Sequence, residues 1–165
     1  MNLKALLAAA ATITCVGLGI PAANADETHC YDLSSLKGTY AVIVTYGANV
    51  ALALATRHFD GLGNLTGAFT LNEPTPGSTT GGRTIVTGTQ AGTYTVNCDG
   101  TGVITRVVTA SNGLITTQTD DFLVTQATMQ DGQLIATALE DATRTPSAIV
   151  QGGVFVIRSY KRRPD

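Results

Sequence analysis

Two pairs of adjacent carboxylates are the side chains of this sequence that are best suited to acid–base chemistry. Asp120 precedes Asp121, and Glu140 precedes Asp141. Successive side chains of an extended strand point to opposite faces, so the two members of such a pair do not act together on one substrate. We interpret both pairs as solvated strand ends, and a pair that meets across a barrel is the alternative.

Nucleophilic and metal chemistry have few candidate residues. Histidine serves as a general base or a metal ligand, but the chain contains only two. His29 stands directly beside Cys30, and adjacent residues make poor joint ligands of one ion. His58 falls at a predicted strand end next to Arg57, and no Gly-x-Ser-x-Gly motif is present. We therefore predict no catalytic residue and no metal site.

Two glycine-rich segments match phosphate-binding loops only in part. Residues 61–67 have the spacing GxGxxxG but lie between two predicted strands, so no helix N-terminus follows to bind a pyrophosphate. Residues 77–82 contain no lysine of the kind that a phosphate-binding loop needs. Both segments are typical of turns, and the sequence predicts no cofactor.

Four polar side chains interrupt apolar alternation in the second half of the chain. Inside a barrel they would orient a ligand, whereas on its outer face they would be hydrated. We favour the solvent face for all four, Arg106, Gln118, Gln126 and Arg158.

The segments that position these side chains are predicted to be β-strands. Residues 26–165 contain 25 threonines in 140 residues, and β-branched residues favour pleated strands. Residues 37–46 alternate, with Tyr40 and Val42 on one face and Ala41 and Ile43 on the other. Residues 50–59 are rich in the helix formers Ala and Leu but also alternate, so we interpret them as a strand.

Turn signals separate the predicted strands at the spacing of hairpins. Asp-Gly occurs at 60–61, 99–100 and 131–132, and Asn-Gly occurs at 112–113. Both dipeptides suit tight hairpin turns. The pattern predicts an all-β fold of eight to ten antiparallel strands and one domain over residues 26–165. A meander of this size hides its edges by closing into a single up-and-down β-barrel of about eight strands, which we favour, or by splitting into a β-sandwich.

The first 25 residues have the layout of a secretory signal peptide. Lys4 precedes an apolar stretch that ends near Ile20, and the small-residue site Ala23-Asn24-Ala25 follows. The stretch is shorter than the ~20 residues that span a bilayer, and no other segment is long and apolar enough. We therefore predict cleavage before Asp26, export to a bacterial periplasm or the medium, and no transmembrane segment in the mature chain.

The charge of the chain argues against nucleic acid as a partner. Ten Lys and Arg residues stand against 12 Asp and Glu, a formal charge of −2, and removing Lys4 with the signal peptide changes it only to −3. Such a small charge is unlike that of a nucleic-acid-binding or polybasic membrane-binding protein. With 44% hydrophobic and 13% charged residues, the composition is also unlike that of a disordered chain.

Export would give the cysteines a specific meaning. The mature chain would keep only Cys30 and Cys98, in a compartment where disulfides persist. We expect these two residues to form a disulfide, with two unpaired thiols or a metal site as the alternatives. In the chain-entropy model, closing the loop over residues 31–97 stabilises the fold by about 4 kcal/mol.

Three segments carry a recognisable pattern. Residues 36–40, 59–67 and 92–102 contain, in order, GTY, FDGxGNxTG and GTYTVNxD. In this order and spacing the chain resembles a group of small exported bacterial proteins of uncharacterised function. The resemblance covers most of residues 36–110 and implies a lipocalin- or allene-oxide-cyclase-like (calycin-like) barrel of about eight strands. The group supplies no catalytic residues that could be transferred to this chain. One departure is Gly100, where the group usually has a cysteine.

A barrel of this size either holds one small ligand or is filled by its own side chains. The favoured prediction is an exported module that binds a small hydrophobic or amphipathic ligand in an apolar interior. The alternatives are a structural or surface-interaction protein with a filled barrel and, third, a barrel cyclase or isomerase. We expect the first and last strands to be neighbours, and the predicted lining residues lie on them: Tyr40, Val42, Val44, Tyr46, Val154 and Val156.

Overall fold

The computed structural model describes residues 29–47, 50–147 and 153–164. The predicted signal peptide and its cleavage site therefore lie outside the described residues. A short 3₁₀ helix, Leu33–Leu36, precedes eight strands. The strands are β1 Gly38–Tyr46, β2 Ala51–Phe59, β3 Asn64–Pro74, β4 Arg83–Val96, β5 Thr101–Ala110, β6 Ile115–Gln130, β7 Gln133–Thr143 and β8 Val156–Arg162.

The strands form a closed up-and-down barrel. Each strand pairs antiparallel with the next, and β8 returns to pair with β1. Across this closing pair Tyr40 lies opposite Arg162 and Tyr46 lies opposite Val156. Closure leaves none of the eight described strands with an edge exposed for pairing with another chain. The predicted eight-stranded barrel is confirmed, as is the predicted neighbourhood of the first and last strands.

β2 turns its small side chains inward. Ala51 and Ala53 are buried, whereas Leu52 and Leu54 on the other face are 60% and 68% exposed. The segment is a strand, as predicted, but its larger apolar face is the outer one. Small inward-facing residues leave space inside a narrow barrel, and Ala53 lines a cavity there together with the long side chains of Arg57 and Arg158.

The sequence alone favours two strands, residues 114–119 and 122–130, but residues 115–130 form the single strand β6. No Gly, Pro or Asn interrupts residues 115–130. The strand instead accommodates barrel curvature at an irregular pairing between Val124 and Ala127, a feature typical of a β-bulge. Asp120 and Asp121 therefore stand within a strand and not at a strand end.

The half of the barrel next to the 3₁₀ helix, called here the helix end, is filled by aromatic and aliphatic side chains. The ring of Phe59 packs edge to face against Tyr40 and Tyr94, at centroid distances of 5.5 Å and 5.0 Å. The Tyr94 hydroxyl donates a hydrogen bond to the Leu33 carbonyl at 2.8 Å. Leu36 of the same helix is fully buried, so the helix covers this end.

A disulfide between Cys30 and Cys98 ties the N-terminal segment to the helix end. The two Cα atoms are 4.5 Å apart, and the Tyr31 N–H donates to the Cys98 carbonyl at 3.1 Å. The predicted pairing is confirmed over the alternatives of two free thiols or a metal site. The opposite end of the barrel carries the β1–β2, β3–β4, β5–β6 and β7–β8 connections and is called here the loop end.

Candidate functional site

A layer of five ionisable side chains crosses the middle of the barrel, and each is at most 3% exposed. Burial of charge is rare unless the charges are paired, because an ion loses its hydration. The expectation of a wholly apolar interior is therefore wrong. We call this set the arginine layer: Arg57 of β2, Arg106 of β5, Asp120 of β6, Asp141 of β7 and Arg158 of β8.

The pleat of the strands explains why Arg106 and Arg158 point inward and not to solvent as we predicted. Arg106 shares its face of β5 with the fully buried Ile104. Gln118 also faces the interior, whereas Gln126 is exposed as predicted. The carboxylates that stabilise these arginines come from other strands, so the pattern along one strand does not reveal them.

The sheet splits each pair of adjacent carboxylates, as strand alternation requires. Asp121 and Glu140 are exposed, whereas Asp120 and Asp141 are buried. The two buried carboxylates meet through Arg158, whose Nη1 donates to Asp120 Oδ1 at 3.0 Å and to Asp141 Oδ1 at 2.7 Å. The interpretation as solvated strand ends is wrong for these two residues, because they compensate a buried guanidinium.

Asp141 also holds Arg57. Arg57 Nη1 donates to Asp141 Oδ2 at 3.2 Å, and the Tyr160 hydroxyl donates to the same oxygen. Arg57 Nε donates to Gln90 Oε1 at 3.2 Å. The guanidinium carbon lies 5.0 Å from the centroid of the Tyr160 ring, a cation–π distance. Arg57 is thus held by a carboxylate, an amide and an aromatic ring together.

Arg106 is held less completely. Its Nη1 forms an ion pair with Asp120 Oδ2, and its Nη2 donates to Gln118 Oε1 at 2.6 Å. The same amide oxygen also accepts a hydrogen bond from Arg158 Nη2 at 3.2 Å. Among the described residues, Arg106 Nε has no hydrogen-bond partner. Buried donors are normally satisfied, so this one is unusual.

Burial disfavours the positive charges of the arginine layer. Desolvation lowers the pKa of the Arg57 guanidinium to about 9, although Asp141 opposes this effect. Desolvation also lowers the pKa of Arg106 well below its ordinary value, and the charges of Arg57 and Arg158 lower it further. Three arginines share two aspartates, so positive charge exceeds negative charge by one within the layer.

Two adjoining cavities lie between the arginine layer and the loop end. The inner cavity measures about 40 Å³, and Arg57, Arg106 and Arg158 contribute to its lining. The outer cavity measures about 60 Å³ and reaches Leu114 and Ser147. Such volumes correspond to about one and about two water molecules at liquid density. Four residues line both cavities: Tyr46, Phe69, Val108 and Gln118.

The outer cavity has mostly apolar walls and two titratable side chains, Tyr46 and Glu73. Burial raises the pKa of both groups, although nearby cations oppose it, Arg158 first for Tyr46 and Arg83 for Glu73. A charged floor in the inner cavity thus continues into an apolar chamber. The apolar walls are formed by Phe69, Leu71, Val86, Val108, Ala110 and Leu114.

Two inward-facing glycines make room for the arginines. Gly67 of β3 lies opposite Arg57, and Gly92 of β4 lies opposite Arg106. A Cβ atom on Gly67 would come within 3.2 Å of Arg57 Cγ. A Cβ atom on Gly92 would overlap the backbone of Thr105 and Arg106. Each large cation is therefore matched by a residue without a side chain on the adjacent strand.

The residues predicted to line a ligand site occupy different depths of the barrel. Val44 and Tyr46 line the inner cavity. Tyr40 belongs to the packed helix end, and Val154 is half-buried where it pairs with Ser147 at the loop end. The predicted residues that do not line these cavities are Tyr40, Val42, Val154 and Val156.

Sequence reasoning missed Arg57, Gln90, Asp120 and Asp141 as interior residues. A signal for Arg57 was present, because it continues the alternation that begins at Ala51 and ends at Phe59. Choosing the alanine face as the inner face would have placed Arg57 inside. No comparable signal marks Asp120, because either member of an adjacent pair can be the buried one.

Neither the two histidines nor the carboxylates of the described ranges form a metal site. His58 is exposed on the outer face, where its Nδ1 lies 3.1 Å from the Thr39 hydroxyl. Over residues 29–47, 50–147 and 153–164, no group of three or more His, Cys, Asp or Glu is placed to hold a metal ion. In the same ranges no helix is long and apolar enough to cross a membrane.

No family model matches the chain, and no curated protein or solved structure shows a significant match. The pattern shared with exported bacterial proteins therefore stays a resemblance. The observed closed eight-stranded barrel is compatible with a calycin-like architecture.

Proposed function

We propose that this protein is exported and binds one small amphipathic molecule in the two cavities between the arginine layer and the loop end. The observation that carries the proposal is a charged floor that continues into an apolar chamber inside a closed barrel. Apolar walls with a few placed polar groups are the usual composition of a small-molecule site. The Cys30–Cys98 disulfide supports export, because such bonds persist in oxidising compartments.

The size of the cavities limits the ligand. The cavities of about 40 Å³ and about 60 Å³ are together smaller than the ~150 Å³ cavity that encloses benzene, so they enclose about four non-hydrogen atoms. The packed rings of Tyr40, Phe59 and Tyr94 occupy the helix end, so the ligand does not extend below the arginine layer. We therefore propose that a six-carbon amphipath places its polar end in the inner cavity and extends its tail through the outer cavity to the loop end. In the alternative of a filled barrel, neither cavity holds a ligand.

The test is to titrate the folded protein with 1-hexanol, hexanamide and hexanoate and to measure binding by two-dimensional NMR. Val108 lines both cavities, whereas its neighbour Val107 is 45% exposed on the outer face. We expect at least one probe to bind saturably at one site in the wild type and in Val107→Phe. Because added side-chain volume fills the cavity, Val108→Phe should weaken binding at least about tenfold.

Failure of every probe to bind to the folded wild type would overturn the proposal and leave the filled barrel. Equal loss of binding in Val107→Phe and Val108→Phe would also contradict it, because the site would then not be the cavity. Dodecanoate serves as the control for size, and it should bind more weakly than hexanoate.

A second candidate function is the barrel cyclase or isomerase, which Glu73 favours. A carboxyl whose pKa is raised by burial at an apolar cavity is suited to act as a general acid. The test compares the small molecules that co-purify with wild type and with Glu73→Gln from the native host, by mass spectrometry and chromatography. Accumulation of a different compound on Glu73→Gln supports catalysis, whereas the same compound on both contradicts it.

A further inference from the structure

The arginine layer contains one more positive charge than its carboxylates compensate. Asp141 is shared by Arg57 and Arg158, and Asp120 is shared by Arg106 and Arg158. A buried charge without full compensation is unfavourable, and an anion entering the inner cavity would balance it. A monoanion matches this excess, whereas a dianion would exceed it.

Arg106 is the member of the layer that is available to such an anion. It is 2% exposed, it lines the inner cavity, and its Nε has no hydrogen-bond partner among the described residues. Nη2 gives one N–H to Gln118 and keeps a second, because each terminal nitrogen of a guanidinium carries two. The Nε and Nη2 donors form one edge of the guanidinium, and this edge matches the two oxygens of a carboxylate.

We infer that the ligand is a compact monocarboxylate, whose carboxylate binds Arg106 in the inner cavity and whose short apolar tail occupies the outer cavity. This inference rests on the proposed function and names the chemical class of its ligand. The tail is needed because Leu71, Val86 and Val108 of the outer cavity offer apolar contact that an inorganic anion does not use.

The experiment compares three probes of nearly equal size by isothermal titration calorimetry: hexanoate, hexanamide and 1-hexanol. Charge-assisted hydrogen bonds are about twice as strong as neutral ones, so hexanoate should bind at least about tenfold more tightly than hexanamide. Sulfate, chloride and acetate are measured in the same way. Each should bind more weakly than hexanoate, because none carries a tail for the outer cavity.

Arg106→Gln should remove the preference for hexanoate and keep the binding of 1-hexanol. The layer then holds two arginines and two aspartates, so we expect this variant to fold. The matched control is Arg144→Gln, which removes the same charge from an exposed ion pair with Asp121 and should keep the preference. Arg106→Lys keeps the charge without the guanidinium edge. Its preference for hexanoate should lie between that of the wild type and that of Arg106→Gln.

The outcomes separate this inference from the proposed function. Hexanamide binding as tightly as hexanoate would overturn the inference that the ligand is a carboxylate, but the proposal of a binding cavity would stand. Sulfate or chloride binding as tightly as hexanoate would overturn the inference that the ligand has an apolar tail. No binding by any six-carbon probe would overturn both proposals. The measurements on the wild type alone decide the inference if an Arg106 variant does not fold.

Discussion

At the scale of single residues, Asp120 and Asp121 show that adjacent residues of one strand can have different roles, one buried and one exposed. Asp120 is fully buried and contacts Arg106 and Arg158, whereas Asp121 forms an exposed ion pair with Arg144. Water screens the exposed pair, and little water reaches the buried one. The two aspartates therefore form a matched pair for measuring the effect of burial.

We expect Asp120→Asn to lower the free energy of unfolding by about 3–5 kcal/mol, because it leaves buried arginines without compensation. Asp121→Asn changes an exposed carboxylate and should have a much smaller effect. Urea denaturation followed by circular dichroism measures both variants. Similar losses for the two variants would mean that Asp120 is not buried among the arginines in solution.

The raised pKa of Glu73 predicts that the stability of the fold depends on pH. Burial raises its pKa in the folded state, while Arg83 opposes the shift. The folded state thus binds this proton more tightly than the unfolded state. The contribution of Glu73 to stability is fully present below its unfolded pKa of about 4.3 and is lost as the pH rises through its folded pKa. Tyr46 also lines this cavity, but tyrosine stays protonated in this range.

We therefore expect Glu73→Gln to unfold at a higher urea concentration than the wild type at pH 7. The difference should disappear near pH 3, where Glu73 is protonated in both states. Denaturation curves at pH 3, 5 and 7 measure the effect. A Glu73→Gln variant that is less stable than the wild type at pH 7 would contradict it.

At the scale of elements, the sequence specified strands and turns but not which face of each strand is inner. Asp-Gly and Asn-Gly dipeptides mark four of the hairpins, because these residues adopt the turn conformation readily. The alternation in β2 was equally clear, yet it allowed either Ala53 or Leu54 to point inward. That choice depends on how the large inward-facing side chains of several strands fit together, Arg57 of β2 with Arg106 of β5 and Arg158 of β8, which no single strand encodes.

The candidate site was predictable only in part for the same reason. Val44 and Tyr46 follow from alternation along β1 and line the inner cavity. The partners of Arg106 come from β6, so they follow from the register between strands and not from spacing along the chain. Reading residues 115–130 as one strand would have required the bulge near Gln126 to be recognised.

Gly92 lies where two strands approach each other closely. A Cβ atom there would overlap the backbone of Thr105 and Arg106, and backbone atoms have little freedom to move. We expect Gly92→Ala to lower the free energy of unfolding by about 1–3 kcal/mol. Gly82→Ala is the control, because its nearest neighbour is the Ser78 hydroxyl of an exposed side chain. Equal midpoints of urea denaturation for the two variants would contradict this account.

At the scale of the whole molecule, the two ends of the barrel are built differently. The helix end holds the packed rings, the 3₁₀ helix and the Cys30–Cys98 disulfide. The loop end holds the cavities, and the arginine layer lies between the two halves. Stabilising groups and the proposed binding groups therefore occupy separate regions, so a change at one end should not act directly on the other.

The disulfide provides the test of this separation. Replacing both cysteines, Cys30→Ser with Cys98→Ser, frees the chain between them in the unfolded state and should lower stability by about 4 kcal/mol in the chain-entropy model. At a temperature where the variant remains folded, its affinity for the six-carbon probes should equal that of the wild type, because Cys98 lies at the helix end. Thermal denaturation measures the first effect and calorimetric titration the second. Unchanged stability would show that the disulfide does not constrain the unfolded chain as expected, and a parallel loss of affinity would show that the two ends are coupled through the arginine layer.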